Sequence, residues 1–180
     1  MERLTWHSRC RISFLGGGIE SVIGDTLHTA LPEWIIVSRL LLAILLGGII
    51  GFEREIRNRP AGLRTHILVS MAAALFTLIT IEIYHEVGAA PGIAARVDPV
   101  RIVDAVTAGV VFIAAGAIIQ AHGDVKGLTT GAAIWLAGAI GVACGIGFYF
   151  VATLTAIFAV IVLRVVGWGE QKWLGKDLDS

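Results

Sequence analysis

Arg39-Leu-Leu-Leu-Ala-Ile-Leu-Leu-Gly-Gly-Ile-Ile-Gly-Phe-Glu-Arg-Glu-Ile-Arg-Asn-Arg-Pro-Ala-Gly-Leu-Arg-Thr-His66 joins an apolar run to a dense basic turn, and a second apolar run follows at once. That pattern predicts a membrane hairpin. Outward from it, the first arm starts near Pro32, suited to the first turn of a helix, and runs as an apolar span from Ile35 to Phe52 behind the interface residues Glu33 and Trp34. The second arm is launched from Pro60-Ala61-Gly62 and extends from Leu63 to about Tyr84, ending in the polar group Glu82, Tyr84, His85 and Glu86.

The rest of the chain repeats this alternation. A turn-rich connection over 85–98 leads to Asp98-Pro99, which reads as an N-cap followed by a first helical residue, so a third span is expected from Arg101 to Gln120. His122-Gly123-Asp124 breaks it. The stretch Leu128 to Trp168 is about twice the ~20 residues that one span needs, and Gly145 and Gly147 divide it into spans four and five. The expected architecture is therefore all-α, a polytopic bundle of about five spans over 32–168. Residues 1–31 form a tail, or an extension upstream of the true start, and 169–180 a short cytoplasmic tail.

Composition agrees. The 180 residues are 56% hydrophobic and 16% charged, with a mean hydropathy of +0.82, whereas charged residues make up about a quarter of a soluble globule. A net charge of +0 excludes a global basic field for nucleic acid. Cys10 and Cys144 are too far apart in character and position to suggest a disulfide framework. With the first turn inside, Arg54, Arg57, Arg59, Arg64, Lys126, Arg164, Lys172 and Lys176 are cytoplasmic, and Arg96 and Arg101 lie outside. The positive-inside rule then places the N-terminus outside and the C-terminus in the cytoplasm, against the pull of Arg3, Arg9 and Arg11.

Several constellations are candidates for function. Ala43, Gly47 and Gly51 recur every four residues on span one, as do Ala137, Gly141 and Gly145 on span four, a spacing that lets helix backbones approach closely. These stripes pack the bundle or face another subunit. In the first turn, Glu53, Arg54, Arg57, Arg59, Arg64, Thr65 and His66 crowd together, and Glu53 and Arg57 have the i,i+4 spacing of an ion pair. Glu53 ends an apolar run, where a carboxylate is costly unless it pairs with an arginine or binds a cation. The arginines form an anion-facing cluster that lipid phosphates also suit.

Asp104 reads as a charge buried in span three, with Arg101 one turn before it. Asp104 pairs locally with Arg101 or, with the carboxylates Glu82, Glu86 and Asp98 and with His85 at the outer end, offers oxygen ligands of the kind hard divalent cations prefer; with Glu53 at the other end it is a metal candidate. Thr129, behind Lys126-Gly127-Leu128, is placed to cap span four. Gly127 to Gly131 lacks the ending of a phosphate loop. The five histidines show no ligand spacing, and no nucleophile–base set shares a face, so no enzyme is expected.

Gly47-x-x-x-Gly51-Phe-Glu53-Arg54-Glu55, Arg59-Pro60-Ala61-Gly62-Leu63-Arg64-Thr65-His66, Asp98-Pro99-x-Arg101, Lys126-Gly127-Leu128-Thr129-Thr130, Trp135 and Ala139-Ile-Gly141 resemble the MgtC/SapB family of bacterial inner-membrane proteins. The resemblance covers most of residues 35–165. It implies a multi-pass inner-membrane protein of magnesium homeostasis or adaptation to low Mg²⁺, acting as a regulator or ion-handling protein. Alternatives are a direct Mg²⁺ transporter or channel, and a regulatory partner of another membrane complex; some members serve virulence. Mg²⁺ is the only cofactor implied, and the implied partners are the lipid bilayer, a second copy, or another membrane protein. The chain departs from the family in reading Gly109-Val-Val-Phe112-Ile-Ala-Ala-Gly116 where a denser glycine motif is usual. Ending at Ser180, it resembles the short, SapB-like branch without the C-terminal soluble domain.

Overall fold

The structure, a computed structural model, describes residues 29–88, 100–119 and 127–174. Its compact unit begins at Leu31. Five helices follow in order: α1 (Glu33–Ile56), α2 (Leu63–Gly88), α3 (Val100–Ile119), α4 (Leu128–Ile146) and α5 (Tyr149–Leu174). Four are long and apolar enough to cross a membrane. The third expected span is a helix too, but its apolar stretch, Val103–Ile118, is shorter than the others. The fifth runs past the expected Trp168 to Leu174. The expected cap at Asp98-Pro99, the 89–98 connection, the break at His122-Gly123-Asp124, Lys126 and residues 175–180 lie outside the described residues.

Successive helices alternate in direction. Gly51 of α1 lies against Leu63 and His66 at the start of α2, while Gly145, late in α4, meets Thr77 and Ala74 midway along α2. Gly131 and Gly138 of α4 pack on Ile118 and Val110 of α3 respectively, so α3 runs against α4. Gly147, at φ 101°, reverses the chain into α5, and the N–H of Phe148 donates 2.8 Å to Ala143 O. A left-handed residue in that position costs a glycine little.

Lipid removes the hydrophobic drive between helices, so close packing has to supply the association. α4 is the hub, touching all four other helices. One apolar cluster joins Ala43, Leu46 and Ile50 of α1 to Ala74 of α2, Ile140 and Cys144 of α4, and Ala152 and Ala156 of α5. A second joins Ala61 and Val69 to Val110 and Ala114 of α3 and Ile134 and Ala137 of α4. Ser70 of α2, fully buried, is wedged between two glycines. A Cβ on Gly47 of α1 would lie 2.7 Å from Ser70 Cβ, and one on Gly141 of α4 would collide with Ser70 O.

Candidate functional site

The turn between α1 and α2 is closed by backbone geometry. Asn58, at φ 51°, is the left-handed residue after the C-cap Arg57. The Asn58 N–H donates to Glu55 O at 3.0 Å and the Arg59 N–H to Arg54 O at 3.1 Å. This is the doubled hydrogen-bond pattern that ends a helix when the next residue tolerates a positive φ, as asparagine does. Glu55 then reaches forward: its Oε2 accepts the Leu63 N–H at 3.0 Å, supplying a cap to α2 from outside the helix. A side chain on Gly62 would occupy the place of that carboxylate oxygen.

Behind the turn lies a buried polar set. Glu53, Arg54, His66, Ser70 and Thr130 are each 3% exposed or less. Arg57 Nε stands 2.6 Å from Glu53 Oε1, and Arg57 Nη2 donates 3.5 Å to the carbonyl of Arg164 on α5. Arg54 Nη2 donates 3.0 Å to Thr130 Oγ1 on α4. His66 Nδ1 donates 2.8 Å to Gly62 O, because a carbonyl can only accept. Glu53 Oε2, Arg54 Nε, His66 Nε2 and Ser70 Oγ have no hydrogen-bond partner among the described residues. The guanidinium groups of Arg57 and Arg54, the former paired with the Glu53 carboxylate, thus clamp α1 to α5 and α4 at this end of the bundle.

The predicted residues fall into distinct places. Arg59 and Thr65 are half-buried and Arg64 exposed around the same turn. Asp104 is exposed near the start of α3, not buried, and so is Arg101. The reason is rotational: α3 buries only Val110 and Ala114 among its described side chains, and Asp104 lies on its open side. Asp104 and Glu53 sit at opposite ends of the bundle, since it is the last turn of α3 that packs beside the start of α4. The two metal candidates therefore do not converge. Among the described residues no three His, Cys, Asp or Glu side chains gather as a metal site. Glu82 is half-buried and its Oε1 accepts the Leu31 N–H at 3.1 Å; Asp98 and the Glu86 side chain lie outside the described residues.

Thr129 is exposed, and its neighbour Thr130 is the buried one. Neither caps α4, whose N-cap is Gly127 at φ 85° with no side-chain hydrogen bond. The Thr-Thr pair signals a polar inward position, but the choice between them is a rotation of about 100°. Arg39 was not singled out by sequence. At the opposite end from Glu53 it donates 2.7 Å to Gly145 O and 3.3 Å to the Tyr149 hydroxyl, tying α1 to the α4–α5 turn. Its interruption of an apolar run is the available signal. At that same end a cleft of about 340 Å³ between α3 and α4, lined by Val106, Val110, Trp135, Gly138 and Phe148 among others, is almost wholly apolar.

A model of the MgtC family matches residues 40–172. Among curated proteins, the chain is 36% identical over 143 residues to Protein SapB of Bacillus subtilis, covering 79% of this chain and 60% of that protein. It is 40% identical over 129 residues to the putative magnesium transporter YhiD of Escherichia coli K12, covering 72% and 59%. It is 37% identical over 120 residues to Protein MgtC of Brucella abortus, covering 67% and 46%. The chain thus spans about half to three fifths of the length of these relatives. No solved structure matches it.

Proposed function

The chain belongs to the MgtC family, and on that premise we propose that this multi-pass membrane protein serves magnesium handling as a regulator that acts on another membrane protein, not as a conduit for the ion. One observation carries the reading. Between the Glu53 end and the Arg39 end, the contact surfaces of α1, α4 and α5 are Ala43, Leu46, Ile50, Ile140, Cys144, Ala152 and Ala156, which offer a hydrated cation nothing to hold. A Mg²⁺ ion gives up its water reluctantly and needs oxygen ligands to do so. The buried hydroxyls of Thr77 and Thr80 on α2 are turned back onto their own helix, onto Ala73 O at 2.8 Å and Phe76 O at 2.7 Å.

The charged end fits a docking or anchoring role. Arg57 pairs with the buried Glu53, Arg59 and Arg64 lie on the same turn, and Arg57 reaches the Arg164 carbonyl of α5. Cationic residues at one end favour the cytoplasmic face, so in this reading the membrane is the bacterial inner membrane, α1 starts outside and α5 ends inside. Here Glu53 is a partner for Arg57, and the carboxylate has no role as a metal ligand. The conduit reading draws support from the name of YhiD and from the unpartnered His66 Nε2 and Ser70 Oγ inside the bundle.

Mg²⁺ flux into proteoliposomes containing the purified chain, with and without an imposed potential, separates the two. The regulatory reading expects no flux above empty liposomes from protein whose helicity is intact. Saturable flux that is lost in Glu53→Gln overturns it and makes that carboxylate part of a path.

A further inference from the structure

Most of the outward surface of this bundle is what lipid requires. Leu41 and Leu45 of α1 and Phe150, Leu154 and Phe158 of α5 are exposed apolar side chains. The open face of α3 differs, because it carries charge. Arg101, Asp104, Ala105, Ala108 and Phe112 are all exposed. Positions 101, 105, 108 and 112 advance by four, three and four residues, the repeat that keeps side chains on one helix seam, and Asp104 lies beside it. Arg101 and Asp104 form no ion pair with each other or with any other described residue. Charged groups at a membrane boundary are costly when left alone and gain from a partner.

The same face is uneven in shape. Phe112 is 82% exposed, more than any other large apolar side chain described. Gly109 and Gly116, one turn to either side of it, have nothing within 4 Å of where a Cβ would lie. A projecting ring therefore stands between two gaps.

We propose that this face of α3 binds a second copy of the chain, parallel to the first about a two-fold axis normal to the membrane. Phe112 of each copy fills the gap at Gly109 and Gly116 of the other, and Arg101 of each pairs with the partner's Asp104. Copies inserted by the same route share one orientation, so α3 meets α3 in parallel and the two-fold places like positions opposite one another. Arg101 and Asp104 are three residues apart, a rise of about 4.5 Å, which an arginine side chain spans. The symmetry makes this contact twice. A different partner would have to supply a base and an acid in matching order, whereas a second copy has them by construction.

The test uses the full chain. Wild-type protein carrying one fluorophore per chain in sparse liposomes is expected to bleach in two steps; single-step bleaching at every density overturns the proposal. In a Cys10→Ser background, where Cys144 is fully buried, Ala105→Cys and Ala108→Cys should give disulfide-linked dimers on oxidation in membranes, and Phe158→Cys on α5 should not. The reverse pattern, or α3 crosslinks only to a different protein, refutes it. Arg101→Asp and Asp104→Arg should each weaken dimerisation about tenfold, and the double exchange should restore it. A double exchange no better than either single, with helicity and melting unchanged, also refutes it.

Discussion

The guanidinium of Arg54 and the hydroxyl of Thr130, 76 positions apart in the chain, meet at 3.0 Å with both side chains at least 97% buried. This contact joins the end of α1 to the start of α4 through two polar side chains buried together. An arginine keeps its charge under these conditions and has to be satisfied by neighbours.

Thr130→Val keeps the shape and removes the acceptor. The expected loss is about 1–3 kcal/mol, the cost of leaving a buried donor without its partner. Thermal unfolding in detergent measures it. Arg54→Met combined with Thr130→Val should recover part of the loss, because an apolar pair leaves no group unsatisfied; a double variant as unstable as the sum of the singles contradicts this.

Glu53→Gln should destabilise by about 2 kcal/mol, since Arg57 keeps its charge after its carboxylate has gone. The local signature is on α5. Arg57 also holds the Arg164 carbonyl, so amide exchange over the turn of α5 that follows Arg164 should quicken while that over the α4–α5 turn stays slow. Equal exchange in both places would show that the ion pair does not secure α5.

The glycines separate into two kinds. Gly141→Ala drives a methyl into the Ser70 carbonyl and should cost about 1–3 kcal/mol by overpacking. In monomeric protein in detergent, Gly116→Ala meets open space and should be neutral, or stabilising by up to about 1 kcal/mol through helix propensity. Equal melting shifts for the two variants would contradict the placement of α2 between α1 and α4.

Asp104→Asn should leave the stability of the isolated chain within about 0.5 kcal/mol of wild type, as for an exposed side chain without partners. A larger loss in detergent melting would mean that the carboxylate is buried after all.

The hairpin and the division of α4 from α5 were open to sequence reasoning because they rest on local quantities: apolar runs of spanning length, Pro60 and Gly62 in the turn, and Gly147 where a doubled run has to reverse. Glu53 and Arg57 belong to the same class, since four residues on a helix set their distance. What escaped needs the rotation of one helix against another. Thr129 and Thr130 differ only in azimuth. The α3 sequence is apolar nearly all round, so nothing in it says which side Asp104 occupies. Arg54 and Thr130 are linked only once α4 is docked, and no spacing in the sequence encodes that.

Each hydrogen bond that closes the α1–α2 turn joins residues at most eight positions apart, the longest running from Leu63 to Glu55. Every partner in that turn is therefore present once Leu63 has been synthesised, whereas the acceptor for Arg54 emerges 76 residues later. At about 5–20 residues per second, the interval is roughly 4–15 s. Until α4 has been made, the buried end of α1 therefore carries a guanidinium whose hydroxyl partner does not yet exist.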